Sequence, residues 1–230
     1  MQLRSISISA LTIATLLTGA CQPDTRTAAA DTAPAETTAV AAPAPGPGEP
    51  TLEEVRAVTE KYQDINVALA DGYVRDPADV CDAAAHTGKP AEWGAMGVHY
   101  AHFGQAGVAG PPPPGGKVDG NGTHTDFRKP TVLIYEPQAD GSMVLVAVEN
   151  LVFKAAWDAA NPAPPTFHGV KWEEMADDPA TEIDDAHGFA PHYDRHVWIY
   201  RDNPRGVFAT HNPNVTCEHH KGAAPPVTPH

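Results

Sequence analysis

Serine is nearly missing from this 230-residue chain: beyond residue 9 the only one is Ser142, which follows Asp140-Gly141 in a segment of turn composition. A Ser-His-Asp hydrolase therefore has no convincing nucleophile. Cysteine is scarce as well, with Cys21, Cys81 and Cys217 the only three. They form no Cys-x-x-Cys-His haem attachment, and neither a Walker loop nor Gly-x-Gly-x-x-Gly after a strand is present, which sets aside c-type haem and nucleotide chemistry. Basic residues are few, 15 against 29 acids, for a formal net charge of −14. Such a chain is no nucleic-acid binder; its charge favours solubility and repels anionic surfaces without bearing on the fold. The apolar run near the amino terminus, Ile6 to Leu17, is a dozen residues long, too short for a spanning helix.

That short run is itself informative. Arg4 and the amino terminus supply a cationic start, and the apolar stretch ends in Gly19-Ala20-Cys21. This resembles a bacterial lipoprotein signal with a lipobox, Thr18 standing where the family most often has Leu. The resemblance implies cleavage after residue 20, lipidation of Cys21 and stable anchoring by several acyl chains. An ordinary cleaved secretory signal, with Cys21 incidental, is the alternative. Gln22 in place of Asp points by the same resemblance to the outer membrane, facing the periplasm or the surface.

Residues 21–50 follow as a Pro/Ala/Thr-rich tether without apolar periodicity. As a flexible coil it holds the domain about 30 Å from the membrane. Residues 51–217 suit one globular domain with a core of its own, and 218–230 a flexible His/Pro-rich tail. With Cys21 lipidated, Cys81 and Cys217 remain as an even pair in an oxidising compartment. A disulfide is the economical reading and two separate buried thiols the alternative. Oxidised, the pair would leave no Cys-His mechanism.

The domain opens with a capping box, Thr51 and Glu54, followed by Leu52, Val55, Val58, Tyr62, Ile65 and Leu69 at helical spacing, ending at Asp71-Gly72. Residues 74–90 around Cys81 read as irregular chain. Residues 104–129, rich in proline and glycine, read as a surface excursion that contributes nothing to the core. Thr131 to Glu136 and Met143 to Phe153 are β-rich runs joined by a turn, a hairpin. Arg195 to Arg201 reads as a last strand. The fold class is α+β: an N-terminal helix on a mainly antiparallel sheet, loop-rich, with one disulfide.

Against these absences stands an excess of histidine, 12 in all. Two glycines within 94–102 argue against helix, and in extended chain His99 and His102 face opposite ways. His192 and His196, four residues apart on a strand, lie about 13 Å apart and do not easily share an ion. Asp194 and His196 are two apart and share a face if the strand starts early enough. Glu149 sits in the middle of the most apolar strand, where a carboxylate needs a partner or water. His168, in Phe167-His168-Gly169 after a proline-rich turn, lies where backbone can approach a centre closely. His99, Glu149, His168 and His196 are thus the candidate ligands of a transition-metal ion, zinc, copper, iron or manganese, since imidazole and carboxylate bind all of these. The competing readings are hydrogen-bonded core histidines, a solvent-facing Glu149, and Asp194 paired with Arg195 or Arg201. The acidic stretch 173–185 lacks EF-hand spacing and reads as a solvated loop.

Four segments, G-A-M-G-V-H-Y at 94–100, L-I-Y-E-P at 133–137, H-V-W-I-Y at 196–200 and N-P-N-V-T-C at 212–217, together resemble a family of uncharacterised secreted bacterial proteins over about residues 60–217. The resemblance implies one compact domain in which Cys81 and Cys217 pair, and brings no activity. The sequence therefore points to an envelope lipoprotein binding a metal ion or small ligand through a His/Glu cluster. A metal-dependent periplasmic enzyme, hydrolytic or oxidative, and a metal-free structural envelope protein are the alternatives.

Overall fold

A computed structural model of the chain describes residues 42–110, 112, 116–180 and 184–222. The expected signal, Cys21, the tether as far as residue 41 and the last eight residues of the tail lie outside them. Among the described residues no helix is long and apolar enough to cross a membrane.

The capping box forms as expected, Thr51 Oγ1 accepting from Glu54 N–H and the Glu54 carboxylate from Thr51 N–H, and opens α1, Leu52–Thr59. The single helix read from the apolar spacing is interrupted. A 3₁₀ turn, Glu60–Gln63, follows α1, and Asp64, in extended conformation, caps a separate α2, Ile65–Ala70. The break shifts the phase of the buried face, so Thr59 and Ala68 are buried while Val58 and Leu69 are exposed.

The centre of the molecule is an antiparallel sheet of β1 (Val74–Arg75), β2 (Cys81–Ala83), β3 (Ala95–Ala101), β4 (Val132–Pro137), β5 (Met143–Phe153), β8 (Glu173–Met175) and β9 (His192–Val197), in the order β1-β3-β4-β5-β9-β8 with β2 also on β3. A short helix α3 (Lys154–Asp158) follows β5, and β6 (Thr166–Phe167) pairs with β7 (Val170–Lys171) apart from it. The β4–β5 hairpin is the one read from sequence. The last strand starts three residues earlier than expected and stops at Val197, because Trp198 N–H donates to Val207 rather than to the sheet. Segment 74–90 is not wholly irregular: Cys81 pairs with Val98 and Asp82 with Gly97. Gly97 has φ +118°, and a Cβ there would stand 2.7 Å from the Tyr135 carbonyl oxygen. Only glycine lets β3 and β4 approach this closely.

Strand alternation divides the sheet into two unlike faces. Val98, Tyr100, Leu133, Tyr135, Val148, Val152, Tyr193 and Val197 meet Val55, Tyr62 and Ala68 of the helical segment in the main core. The other face carries His99, Glu149, Asp194 and His196 among Val132, Ile134 and Ala147. The proline- and glycine-rich excursion corrects its sequence reading here. Val118 and Phe127 are buried, and Val118 exchanges hydrogen bonds with Gly188 and Ala190. Packed with Leu151 and Phe153, this segment covers part of the polar face. Its Lys117 pairs with Asp177 and Asp184 of the acidic stretch at 2.6 and 2.9 Å, counter-charge supplied from a distant part of the chain. Cys81 and Cys217 are joined in a disulfide across 136 residues of sequence, tying β2 to the segment that follows the last strand.

Candidate metal centre

The cluster on the polar face is assembled by register. Glu149 on β5 lies directly opposite His196 on β9, and His99 on β3 reaches the same point across β4, where Val132 pairs with both Ala101 and Glu149. His99 Nε2 stands 3.4 Å and His196 Nε2 3.5 Å from Glu149 Oε2. One ligand atom from each of the three residues falls within 4.8 Å of the others, so the group could hold a metal ion. The two imidazole rings meet nearly edge to face, 6.2 Å between centroids. Glu149 Oε2 and both ring nitrogens of His196 are buried without a hydrogen-bond partner, although buried polar atoms are ordinarily paired.

Each imidazole has a carboxylate behind it. Asp82 Oδ2 is 3.3 Å from His99 Nδ1, and Asp194 Oδ2 is 3.9 Å from His196 Nδ1. The other Asp82 oxygen lies 3.2 Å from His187 Nδ1. A carboxylate hydrogen-bonded behind an imidazole orients a metal-ligating histidine and raises its basicity, a role that Asp82 fits at His99; Asp194 makes no hydrogen bond to His196, whose Nδ1 is unpartnered.

The electrostatics separate the groups into charged and neutral members. Burial opposes charge on His99, but Asp82 and Glu149 overcome it and hold its pKa well above the ordinary histidine value. Burial drives His196 down to about 4 against the attraction of Glu149, so it is a neutral imidazole at neutral pH. Glu149 is held below its usual range, the nearby His196 and His99 outweighing its burial. Asp82 is likewise kept well below the carboxylate range, His187 and His99 outweighing its burial. Asp194 goes the other way: burial and then the charge of Glu149 push it well up.

Three of the four ligands read from sequence therefore come together, and His168 does not. Its Nδ1 lies 2.9 Å from the Pro43 carbonyl oxygen and its Nε2 2.8 Å from that of Pro50, while its backbone N–H donates to Glu49. Its ring packs at a tilt of 33° against Phe167, whose side chain belongs to the main core on the opposite side of the sheet. The segment at 43–50, expected as the end of a free tether, is thus held to the domain. His220 of the expected tail also has a partner, Asp79 Oδ1 at 3.3 Å.

His99 and His102 do face opposite ways, the latter meeting Tyr73 edge-on. His192 shares the face of His196, but its Nδ1 is bonded to the Ala190 carbonyl and it stands outside the ligand group. Sequence reasoning missed Asp82 and the role of His187. Nothing local marks Asp82 except its place beside Cys81, and His187 is set by a left-handed backbone, φ +52°, in a loop that periodicity cannot read.

A cavity of about 30 Å³ adjoins the cluster, which exceeds the roughly 10–15 Å³ one water needs. Comparison of the chain with known protein families, with curated proteins and with solved structures found no match in any of the three.

Proposed function

We propose that the protein is an envelope lipoprotein, anchored through lipid on Cys21, whose domain binds one divalent transition-metal ion through His99, Glu149 and His196. The carrying observation is the convergence of three donor atoms within 4.8 Å on a buried sheet face. The carboxylate of Asp82 behind His99 adds support. The two edges that end on Glu149 suit a tetrahedrally bound ion. Bonds of about 2.0–2.1 Å in a tetrahedron set ligand atoms roughly 3.3 Å apart, and in an octahedron about 2.9 Å. The two edges that end on Glu149 measure 3.4 and 3.5 Å.

A second reading, a metal-dependent enzyme, is favoured by the number of ligands. Three protein donors leave a tetrahedral position open, and the adjoining cavity has room for water or a substrate oxygen there. Bound at such a site, an ion polarises an oxygen or lowers the pKa of a water. The chain's own residues supply the apolar wall, the orientation of His99 by Asp82 and the counter-charge of Glu149.

The test is elemental analysis of the untagged Cys21→Ser chain from residue 21 onward, after expression and after incubation with zinc, copper, iron and manganese. About one equivalent is expected, lost in His99→Ala and in His196→Ala and kept in His168→Ala and His220→Ala. Protein that stays metal-free under all four ions sinks the reading. The anchor is tested separately: Cys21→Ser or globomycin should block maturation and move the protein out of the membrane fraction, and unchanged fractionation counts against lipidation.

A further inference from the structure

The three candidate ligands stand on strands of one sheet face, so an ion held by them lies above the strands and its remaining position points away from the sheet. His99, Glu149 and His196 all line the small cavity of about 30 Å³. By the measure in which one water needs roughly 10–15 Å³, that space holds about two waters, the size of a molecule of roughly two or three non-hydrogen atoms.

The walls of this space are fastened. Val132 and Leu151 beside the ligands are buried, and from outside the sheet His187 and Phe189 of the loop before β9 complete the lining. Val118 N–H donates to the Gly188 carbonyl of that loop and Ala190 N–H to the Val118 carbonyl, while Phe189 packs with Val118, Leu151 and Phe153. His187 is held by Asp82, Nδ1 to Oδ1 at 3.2 Å. Of the other polar groups in the wall, His192 is bonded to the Ala190 carbonyl and Asp76 to Ala78 N–H, and Asp194 stands 3.9 Å from His196. A guest therefore meets a small, largely apolar space with the ligand residues at its base.

We infer that the open position of the metal centre takes only a ligand this small: a molecule of roughly two or three non-hydrogen atoms with an oxygen or nitrogen donor, such as water, dioxygen or a linear triatomic anion. An amide, a carboxylic ester or a phosphate ester surrounds the attacked atom with several others and does not fit. For the enzyme reading this sets aside hydrolysis of such substrates in favour of chemistry on a small molecule itself. The inference rests on the metal reading.

The test uses the untagged Cys21→Ser chain from residue 21 onward, loaded with cobalt(II), whose visible spectrum reports its coordination, and three monoanions: azide, formate and benzoate. Formate and benzoate share the donor group and the charge and differ in the body behind it, so repulsion by the acidic chain acts on both alike. Azide and formate should alter the spectrum and saturate, and benzoate should bind about tenfold or more weakly than formate. Phe189→Ala, which removes the outer wall, should tighten benzoate by about tenfold or more while formate stays within about twofold; Leu151→Ala serves if that variant does not fold. Benzoate binding as tightly as formate, a spectrum that neither small anion alters, or a folded wall variant that still excludes benzoate overturns the inference. Elemental analysis separates the two failures. Protein that takes up no cobalt counts against the metal reading and sinks this inference with it, whereas bound cobalt that ignores azide and formate sinks the inference and leaves the metal reading standing.

Discussion

The two faces of the sheet are built from the same strands and obey opposite rules. On the helix side, Leu133, Tyr135, Val148 and Val197 are buried against helices, and every one of them gains by leaving water. On the other side, the same strands bury Glu149, Asp194 and His196 and half-bury His99, with Glu149 Oε2 and His196 Nε2 lacking a hydrogen-bond partner. Buried charges and orphaned nitrogens do not hold a fold together, since desolvation offsets most of what their attraction returns. The apolar face stabilises the domain, and the polar face carries the three donors that could hold a metal ion.

The largest effect expected is on the apolar face. Leu133→Ala should cost about 2–5 kcal/mol in chemical denaturation. The same experiment on metal-free His99→Leu/Glu149→Leu/His196→Leu should show stability unchanged or raised by about 1–4 kcal/mol. A triple variant destabilised as much as Leu133→Ala would erase the distinction between the faces. Of comparable size is the disulfide: Cys81→Ser/Cys217→Ser should lose about 2–5 kcal/mol, because the bond closes a very long loop in the unfolded chain. Unchanged stability there would move the tie between β2 and the C-terminal segment to other contacts.

A smaller effect should mark the support behind the ligands. Asp82→Asn keeps the shape but removes the carboxylate from His99 Nδ1, and metal affinity should fall about 10–100-fold. Equal metal affinity in wild type and variant would make Asp82 merely structural. The smallest, for each pH unit titrated, is a pH effect. Burial depresses the His211 pKa to about 3, so below about 6.5 the unfolded chain takes up a proton that the folded chain refuses. The contribution of neutral His211 is complete above pH 6.5 and is lost as the pH falls toward 3, at up to about 1.4 kcal/mol per pH unit. His211→Gln should flatten the stability profile over that window, and an identical slope in both proteins would contradict the assignment.

Some of this was legible along the chain. The capping box at Thr51 and Glu54 and the β4–β5 hairpin depend on residues near one another in sequence, and both formed. Glu149 declared itself by being out of place on an apolar strand. His168 could not be judged, because its ring nitrogens meet carbonyls at Pro43 and Pro50, 125 and 118 residues away. The excursion at 104–129 misled for a similar reason: its composition says loop, and nothing local says that Val118 and Phe127 are buried.

By itself, then, the sequence determined the local elements, the alternation that sends His99 and His102 to opposite sides, and the residue types able to bind a metal. Those follow from backbone geometry and side-chain chemistry, which act over a few residues. Only the tertiary structure decided which candidates meet. Strand register sets Glu149 opposite His196 and brings His99 to them across β4, and β2, pairing with β3, places Asp82 behind His99. A shift of one residue in any of these pairings would turn a ligand to the opposite face, and, the β4–β5 hairpin apart, no local signal fixes pairings between strands this far apart in the chain.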